Sequence, residues 1–260
     1  KVLLLFQPAE ETGKGAEAVL NDVLFKDLNV DYVFALHNLP GFKKHQIVIR
    51  DGEFTSHVKS LIIQFDGKTA HAAEPEKGIN PAVAIANTLT FCEEHTMNNP
   101  DSELFFLMTP VYVTMGDKAY GVSAGYGEVH ITIRSRRSSV MQDKEALLKE
   151  HLNLLESQLQ VTTNIKDLES FHTTSNAISA NAYIKNAALT GGYELFEIDS
   201  PFKWGEDFGL LTQKYKGAMF GLGAGIDTPA LHNPDYDFPD DITMTGVDTF
   251  YTIINELTTH

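Results

Sequence analysis

Cysteine, cationic side chains and long apolar runs are all scarce in this sequence of 260 residues. A single cysteine, Cys92, cannot form an internal disulfide, which excludes a disulfide-rich fold and is typical of a reducing compartment, so we expect a cytoplasmic protein. Lysine and arginine number 20 against 35 aspartates and glutamates, and the net charge of −15 disfavours nucleic-acid partners. Apolar runs such as residues 2–6 are far shorter than the roughly 20 residues that span a bilayer, so no membrane partner is expected.

The remaining composition is that of a globular protein. Hydrophobic residues make up 43% of the chain and aromatic residues 10%, which is enough for one large domain or two modest ones. The sequence begins at Lys1 and enters the apolar run of residues 2–6 at once, without a cap or a turn. Because a strand needs neighbours to pair with, this opening is typical of the middle of a fold, and we expect an earlier part of the domain to be absent.

The first part of the chain alternates strand and helix patterns. Apolar runs at residues 2–6 and 32–36 predict two buried strands, and the apolar stripe from Ala16 to Leu24 predicts a helix between them. Two strands joined by a helical crossover form a βαβ unit, which implies a parallel sheet covered by helices. Residues 46–50 and 53–54 predict a third, more exposed strand region.

From about residue 57 the pattern changes to strand, helix, two strands, helix and strand, which is the order of a ferredoxin-like domain. After residue 168 the predicted elements are helices at 177–190 and 241–257 with a strand at 218–222 between them. The sequence therefore predicts an α/β domain made of residues 1–56 and 169–260. An α+β domain over residues 57–168 interrupts it.

Polar residues follow the apolar segments of the α/β domain. Glu10 and Glu11 follow the first predicted strand, His37 the second, and His232 a glycine-rich stretch. Ligand sites of open α/β sheets lie at the carboxyl ends of strands, and two histidines with a carboxylate suit Zn²⁺ or a similar ion. Each residue alone also has an ordinary interpretation, because many histidines are simply hydrogen-bonded and an acidic pair complements the start of a helix.

Five ordered motifs make the sequence recognisable. They are Gln7-Pro8-Ala9-Glu10-Glu11, Ala35-Leu36-His37-Asn38, Gly67-Lys68-Thr69-Ala70-His71, Glu206-Asp207-Phe208 and Leu231-His232-Asn233-Pro234. This series resembles the M20 family of metallopeptidases and amidohydrolases, especially its aminoacylase-like and auxin-conjugate hydrolase-like branch. The resemblance covers essentially the whole chain, and the ordered series is far more specific than any one motif.

The resemblance implies a parallel-sheet catalytic domain that binds two divalent metal ions, either zinc or manganese, cobalt or nickel. It also implies that the inserted domain is a lid through which two copies form a homodimer. Glu10 matches the general base, and Glu11, His37 and His232 match metal ligands. His71 resembles the histidine that reaches a neighbouring active site and stabilises the oxyanion.

The activity that the resemblance implies is hydrolysis of the amide bond in an N-acyl amino acid or an amino-acid conjugate by metal-activated water. Arg134 matches the arginine that binds the carboxylate of the substrate. Two alternatives stay open. One is a metal-dependent dipeptidase or exopeptidase, and the other is a non-catalytic relative or inactive fragment that serves as a binding or scaffold protein.

The sequence departs from the family pattern in two places. An earlier Cys- or Asp-containing, histidine-rich motif supplies the remaining ligands in the family, and it is absent here because Cys92 lies inside a predicted helix. Three protein ligands are too few for two tightly held ions, so we expect the chain as given to be inactive and to bind metal weakly. Gly121 stands where the family commonly has a substrate-binding asparagine. Glu206 and Asp207 we interpret as supporting or capping residues rather than ligands.

Overall fold

The chain folds as two units in the computed structural model, which describes residues 1–258. The first unit consists of Lys1–Thr55 and the chain from His172 onward, and the second consists of Ser56–Phe171. Residues 259 and 260, which the predicted last segment of the α/β domain includes, lie outside the described residues. Each unit has hydrophobic core clusters of its own.

Strands and helices are numbered here along the chain. The strands are β1 (Val33–Pro40), β2 (Ile47–Ile49), β3 (Gly52–Glu53), β4 (His57–Asp66), β5 (Ala70–His71), β6 (Phe106–Met115), β7 (Val122–Ser123), β8 (Tyr126–Ser135), β9 (Thr162–Phe171), β10 (Ser175–Asn176), β11 (Leu195–Glu197) and β12 (Gly217–Gly225). The α-helices are α1 (Gly15–Asn21), α2 (Val23–Lys26), α3 (Ala82–His95), α4 (Ser138–Leu159), α5 (Ile178–Gly191), α6 (Phe208–Lys214) and α7 (Thr243–Thr258).

The first unit is built on a mixed four-stranded sheet in the order β1-β12-β2-β11. Strand β1 runs parallel to β12, with His37 opposite Gly221, and β11 runs parallel to β2. Strands β12 and β2 are antiparallel, so the prediction of a parallel sheet holds only in part. The connection from Pro40 to Ile47 is shorter than the dozen or so residues of a crossover, and β2 therefore reverses direction relative to β1.

Helices cover both faces of this sheet. Phe220 of β12 packs with Ile184 of α5 and Ile253 of α7, whereas the next residue towards the N-terminus, Met219, packs with Phe208 of α6 on the other side. Successive side chains of a strand point to opposite faces, and a strand covered on both faces consists of apolar and small residues throughout. No helix within residues 1–258 is both long and apolar enough to cross a membrane.

Residues 1–7 form neither helix nor strand, which shows the predicted strand at residues 2–6 to be wrong. The apolar side chains of this segment are exposed, and Phe6 keeps 89% of its surface. A strand exists only where a neighbour supplies backbone hydrogen bonds, and no strand of the described sheets pairs with these residues. The predicted βαβ unit at the start of the chain is therefore not formed.

Two more predictions for the first unit need correction. The single helix predicted around residues 16–24 is divided at Asp22, whose extended backbone ends α1 and whose carboxylate accepts the Leu24 N–H of α2 at 2.8 Å. The strand region at 46–54 is not more exposed than its neighbours. All of β2 is fully buried, because it lies between β12 and β11.

The second unit has an antiparallel sheet in the order β6-β8-β4-β9, with residues of α3 and α4 in the same core. In chain order these are the second, third, first and fourth strands of the sheet, which is a split βαβ arrangement. Val129, Ile131 and Ile133 alternate along β8 and pack against Leu148 and Leu152 of α4. The role of this unit as a lid stays a prediction.

The opposite face of β8 carries a hydrogen-bonded carboxylate, Glu128. It contacts His130 Nε2 at 2.9 Å, accepts from Gln64 Nε2 at 3.0 Å and accepts from the hydroxyl of Tyr126. These three hydrogen bonds, that of His130 first, lower the pKa of Glu128 to about 2. A lowered carboxylate pKa stabilises the folded state above the unfolded pKa, and this stabilisation is lost as the pH falls towards 2.

We expect Glu128→Gln to destabilise the second unit by on the order of 1 kcal/mol or less at neutral pH, because solvent screens a surface-facing pair. The difference from the parent protein should shrink between the ordinary glutamate pKa of 4.5 and about 2. Urea unfolding between pH 2 and pH 7 measures it. Glu169→Gln on β9, an exposed glutamate of the same sheet, is the matched control. A constant difference across this range would contradict the assignment.

Candidate active site

The two adjacent glutamates lie in one tight turn between residue 9 and α1. Glu10 and Glu11 belong to a single 3-10 turn, Glu10–Thr12, which is flanked by left-handed residues at Ala9 (φ 57°) and Gly13 (φ 68°). The N–H of Gly13 donates to the carbonyl of Glu10 at 2.8 Å and closes the turn. Glu10 is half-buried and Glu11 is exposed, so only the first glutamate is shielded from solvent.

His37 lies on β1 and is half-buried, and its ring contacts both a backbone carbonyl and an aromatic side chain. Nδ1 donates to the backbone carbonyl of Asn38 at 2.8 Å, and the ring lies 4.8 Å from that of Trp204 between centroids. The other ring nitrogen, Nε2, lies 3.3 Å from Oε1 of Glu206 and hydrogen-bonds to it when the ring is protonated. Burial alone would lower the pKa of His37, but the hydrogen bond and charge of Glu206 outweigh it and raise the pKa above its ordinary value.

Glu206 joins the turn and the histidine. It is 8% exposed, contacts His37 and lies beside Glu10, to which it can hydrogen-bond when one of the two carboxyl groups is protonated. Burial raises the pKa of Glu10 most, and Glu206, Asp207 and Glu11 raise it further, to about 8. A carboxyl group whose pKa lies near neutrality can both take up and release a proton in the physiological range.

Asp207 holds the same turn from the other side. Its carboxylate accepts Gln7 Nε2 at 2.7 Å and the Ala16 N–H at 2.8 Å, so it satisfies a free amide in the first turn of α1. The side chain makes no cap bond to α6, the helix that follows it. Asp207 is thus a capping residue, as the sequence suggested, but for a helix 191 positions away in the chain.

The structure brings Glu10 and His37 together through Glu206, but it does not gather the predicted ligands. Glu11 and His232 are exposed, and His232 has a left-handed backbone (φ 67°) in the loop after β12. That loop is tied to the end of β1, because the side chain of Asn38 donates to the hydroxyl of Tyr236. Within residues 1–258 no group of three or more His, Cys, Asp or Glu side chains is arranged to hold a metal ion.

The other predicted site residues belong to the second unit. His71 is exposed at the end of β5, where its Nδ1 accepts the N–H of Ala73 at 3.0 Å. Arg134 is half-buried on β8, and burial lowers its pKa. The carbonyl of Gly121 accepts the Ala72 N–H at 2.9 Å, and an added Cβ on Gly121 would meet nothing within 4 Å. Gly121 therefore leaves open space beside the His71 turn.

The donor chemistry around Glu206 fits a divalent cation, although the number of donors does not reach a full set. A histidine that donates from Nδ1 to a carbonyl and directs Nε2 towards a carboxylate is oriented as metal-binding histidines are, and its Nε2 can bind a cation once it is unprotonated. The buried Glu206 beside Glu10 is a pair of carboxyl groups that repel each other when both are ionised, and a cation relieves that repulsion. Tetrahedral zinc sites use about four ligands, more than His37 and Glu206 supply.

Glu206 is the functional residue that sequence reasoning undervalued. Its two contacts, with Glu10 and His37, are both long-range, and nothing local in Trp204-Gly205-Glu206-Asp207 distinguishes a buried bridging carboxylate from a helix cap. The one available signal is that two acidic residues stand together before Phe208, a buried residue. Adjacent carboxylates next to buried residues need partners.

Curated proteins similar to this chain include N-acetyldiaminopimelate deacetylases. That of Bacillus licheniformis is 27% identical over 247 residues, covering 95% of this chain and 65% of the relative. That of Oenococcus oeni is 28% identical over 251 residues, covering 94% of this chain and 64% of the relative. The chain thus spans a little under two thirds of the length of these relatives.

Several solved structures have a fold similar to that of this chain. The YXEP protein of Bacillus subtilis, described as a dinuclear metal-binding peptidase of the M20 family, has a TM-score of 0.78 at 20% identity, covering 97% of this chain and 64% of that one. The aminobenzoyl-glutamate utilization protein of Klebsiella pneumoniae has a TM-score of 0.73 at 18% identity, covering 95% and 60%. Because the sequence model of peptidase family M20/M25/M40 matches residues 1–256, nearly the whole chain, the protein belongs to that family.

Proposed function

We propose that this protein hydrolyses the amide bond of an N-acylated amino acid, with Glu10 as the general base. The observation that carries the proposal is the contact between Glu10 and the buried Glu206, which also reaches Nε2 of His37. The similarity to N-acetyldiaminopimelate deacetylases supports this substrate class, because those relatives are named for removing an acetyl group from an amino acid.

We propose that a divalent cation, zinc or a similar ion, is held by His37 with Glu11 and His232 as further ligands and Glu206 close by. When bound, such an ion polarises a carbonyl and lowers the pKa of a water molecule. The direction of Nε2 of His37, towards the carboxylate of Glu206, supports its role as a ligand, and the tether between Asn38 and Tyr236 supports a place for His232 near the end of β1. The dinuclear metal-binding relative of known structure supports the class of cofactor.

Glu10 performs the proton transfers in this proposal. It takes a proton from the attacking water as the water oxygen bonds to the carbonyl carbon. It then gives that proton to the leaving nitrogen as the C–N bond breaks, which yields a free amine and a carboxylic acid, and the acid then loses its proton to solvent. Its half-buried position beside Glu206 supports this role, because burial raises the pKa of a carboxyl group towards the working pH, where a base works best.

The second unit supplies the remaining parts of the proposal. His71 donates to the developing oxyanion, and a donor of this kind is typically worth about 2.7–4 kcal/mol in the transition state. Arg134 binds the carboxylate of the substrate, and the second unit acts as a lid that pairs two subunits. The geometry of His71 supports this role, because its Nδ1 accepts the N–H of Ala73, so the proton of the neutral ring lies on Nε2, and the side chain is exposed.

A substrate panel tests the proposal on the protein expressed from its complete reading frame. We expect kcat/KM for N-acetyl amino acids to exceed that for dipeptides with a free α-amine by about a hundredfold, because burying an unpaired charged amine is costly. A preference for the free amine would identify a dipeptidase or exopeptidase instead. Binding of both classes without turnover would identify a non-catalytic relative.

A further inference from the structure

We propose that Asp207 is a positioning residue that holds the loop of residues 7–16 so that Glu10 meets Glu206; the inference rests on the proposed function. Asp207 is 1% exposed and accepts Gln7 Nε2 at 2.7 Å on each carboxylate oxygen and the Ala16 N–H at 2.8 Å. The N–H of Gly15 is a further donor to it. Gln7 and Ala16 stand on either side of the turn that carries Glu10.

The loop between these two anchors closes tightly on itself. An added Cβ on Gly15 would lie 2.1 Å from the carbonyl oxygen of Pro8, so the two ends of the loop touch through backbone atoms. Inside the loop, the hydroxyl of Thr12 donates to the Ala9 carbonyl at 3.0 Å. The turn is short and its hydrogen bonds are internal. Its position therefore depends on the hydrogen bonds that Asp207 accepts at its two ends, from Gln7 and Ala16.

Two neighbouring residues have different contacts. Glu206 contacts Glu10 itself, while Asp207 accepts hydrogen bonds from the loop that carries Glu10. Both precede α6, where the Asp207 carbonyl accepts the Leu210 N–H at 2.9 Å. Helix α6 also packs closely against the backbone of His172, since an added Cβ on Gly209 would lie 2.1 Å from the carbonyl oxygen of that residue. One fixed backbone segment thus sets the distance between the base and its buried partner.

Only a carboxylate suits this position fully. All of the donors to Asp207 are N–H groups, one from the amide of Gln7 and two from the backbone. A carboxylate has only acceptors, so it can satisfy all of these donors. An amide at position 207 would direct its own N–H group towards one of them, and that donor would lose its acceptor. Exchanging the amide of Gln7 with the carboxylate of Asp207 would restore the donor and acceptor pairing.

The test compares Asp207→Asn, Gln7→Leu and the Gln7→Glu/Asp207→Asn double variant, in which amide and carboxylate exchange places, in the metal-loaded protein from its complete reading frame. We expect the two single variants to raise amide hydrogen exchange of residues 9–16 about tenfold or more. We expect kcat for an N-acetyl amino acid to fall up to about a hundredfold while KM stays within about threefold, as for a misplaced catalytic group. The double variant should recover most of both effects.

Asp51→Asn is the matched control, because Asp51 is a half-buried carboxylate of the first unit that, like Asp207, accepts a side-chain amide, that of Asn181 at 2.7 Å. It should lower stability without changing exchange in the loop. Equal loss in both single variants with no recovery in the double variant would overturn the proposal, as would unchanged exchange in Gln7→Leu. If the parent protein turns over no N-acyl substrate, the proposed function fails and the exchange measurements still decide the role of Asp207.

Discussion

Replacing Glu10 with glutamine is expected to lower kcat for an N-acyl amino acid by about a hundred- to ten-thousandfold, the range that general bases contribute. Glutamine keeps the shape of the side chain and can still hydrogen-bond Glu206, but it cannot accept the proton of the attacking water. Steady-state kinetics on the metal-loaded protein, with the metal content determined on the same samples, measures the effect.

Glu17→Gln is the matched control for this variant, because Glu17 is an exposed glutamate of α1, a few residues further along the chain. It should leave kcat unchanged. The thermal unfolding temperature of Glu10→Gln should stay close to that of the parent, since the removed charge is one that burial and neighbouring carboxylates already disfavour. Persistent turnover in Glu10→Gln at normal metal content would show that another group is the base.

Local patterns identify Glu10 and His37 because each follows an apolar segment of the chain, and the structure joins the two through Glu206. Glu206 itself could not be identified in this way, because neither of its contacts is local. The hydrogen bond between Asp207 and Gln7 joins residues 200 positions apart. In the sequence, Asp207 has only the pattern of an ordinary helix cap. Side-chain identity gives the chemistry of a residue, while its partner depends on how distant segments pack.

The same distinction explains the outcome for the fold. Strand β8 (Tyr126–Ser135) was predictable from its own alternation of apolar and polar residues, which matches its alternating burial. The run of residues 2–6 is equally apolar, yet it forms no strand, because strand formation depends on a pairing partner that the run does not encode. The burial of β2 depends in the same way on its place between β12 and β11.

The small number of donors near His37 limits how tightly this chain can bind a metal ion. His37 directs Nε2 towards a buried carboxylate, that of Glu206, and no group of three or more potential ligands is assembled within residues 1–258. Structural zinc sites use four protein ligands and catalytic sites use three, whereas only one histidine and one carboxylate lie together here. We therefore expect calorimetric titration of the 260-residue chain with Zn²⁺ to reveal weak binding rather than two tight sites.

We expect His37→Gln to lower the zinc affinity of this chain by about a hundredfold or more. Loss of even a residue that only hydrogen-bonds to a metal ligand lowers metal affinity by about ten- to a hundredfold. His45→Gln is the matched control, because His45 is another half-buried histidine of the first unit whose Nδ1 lies 2.8 Å from the hydroxyl of Thr245. It should bind zinc as the parent does. Two tight sites on this chain would contradict the donor count, whereas unchanged affinity in His37→Gln would remove His37 from the ligands and leave its contact with Glu206 as an ordinary buried ion pair.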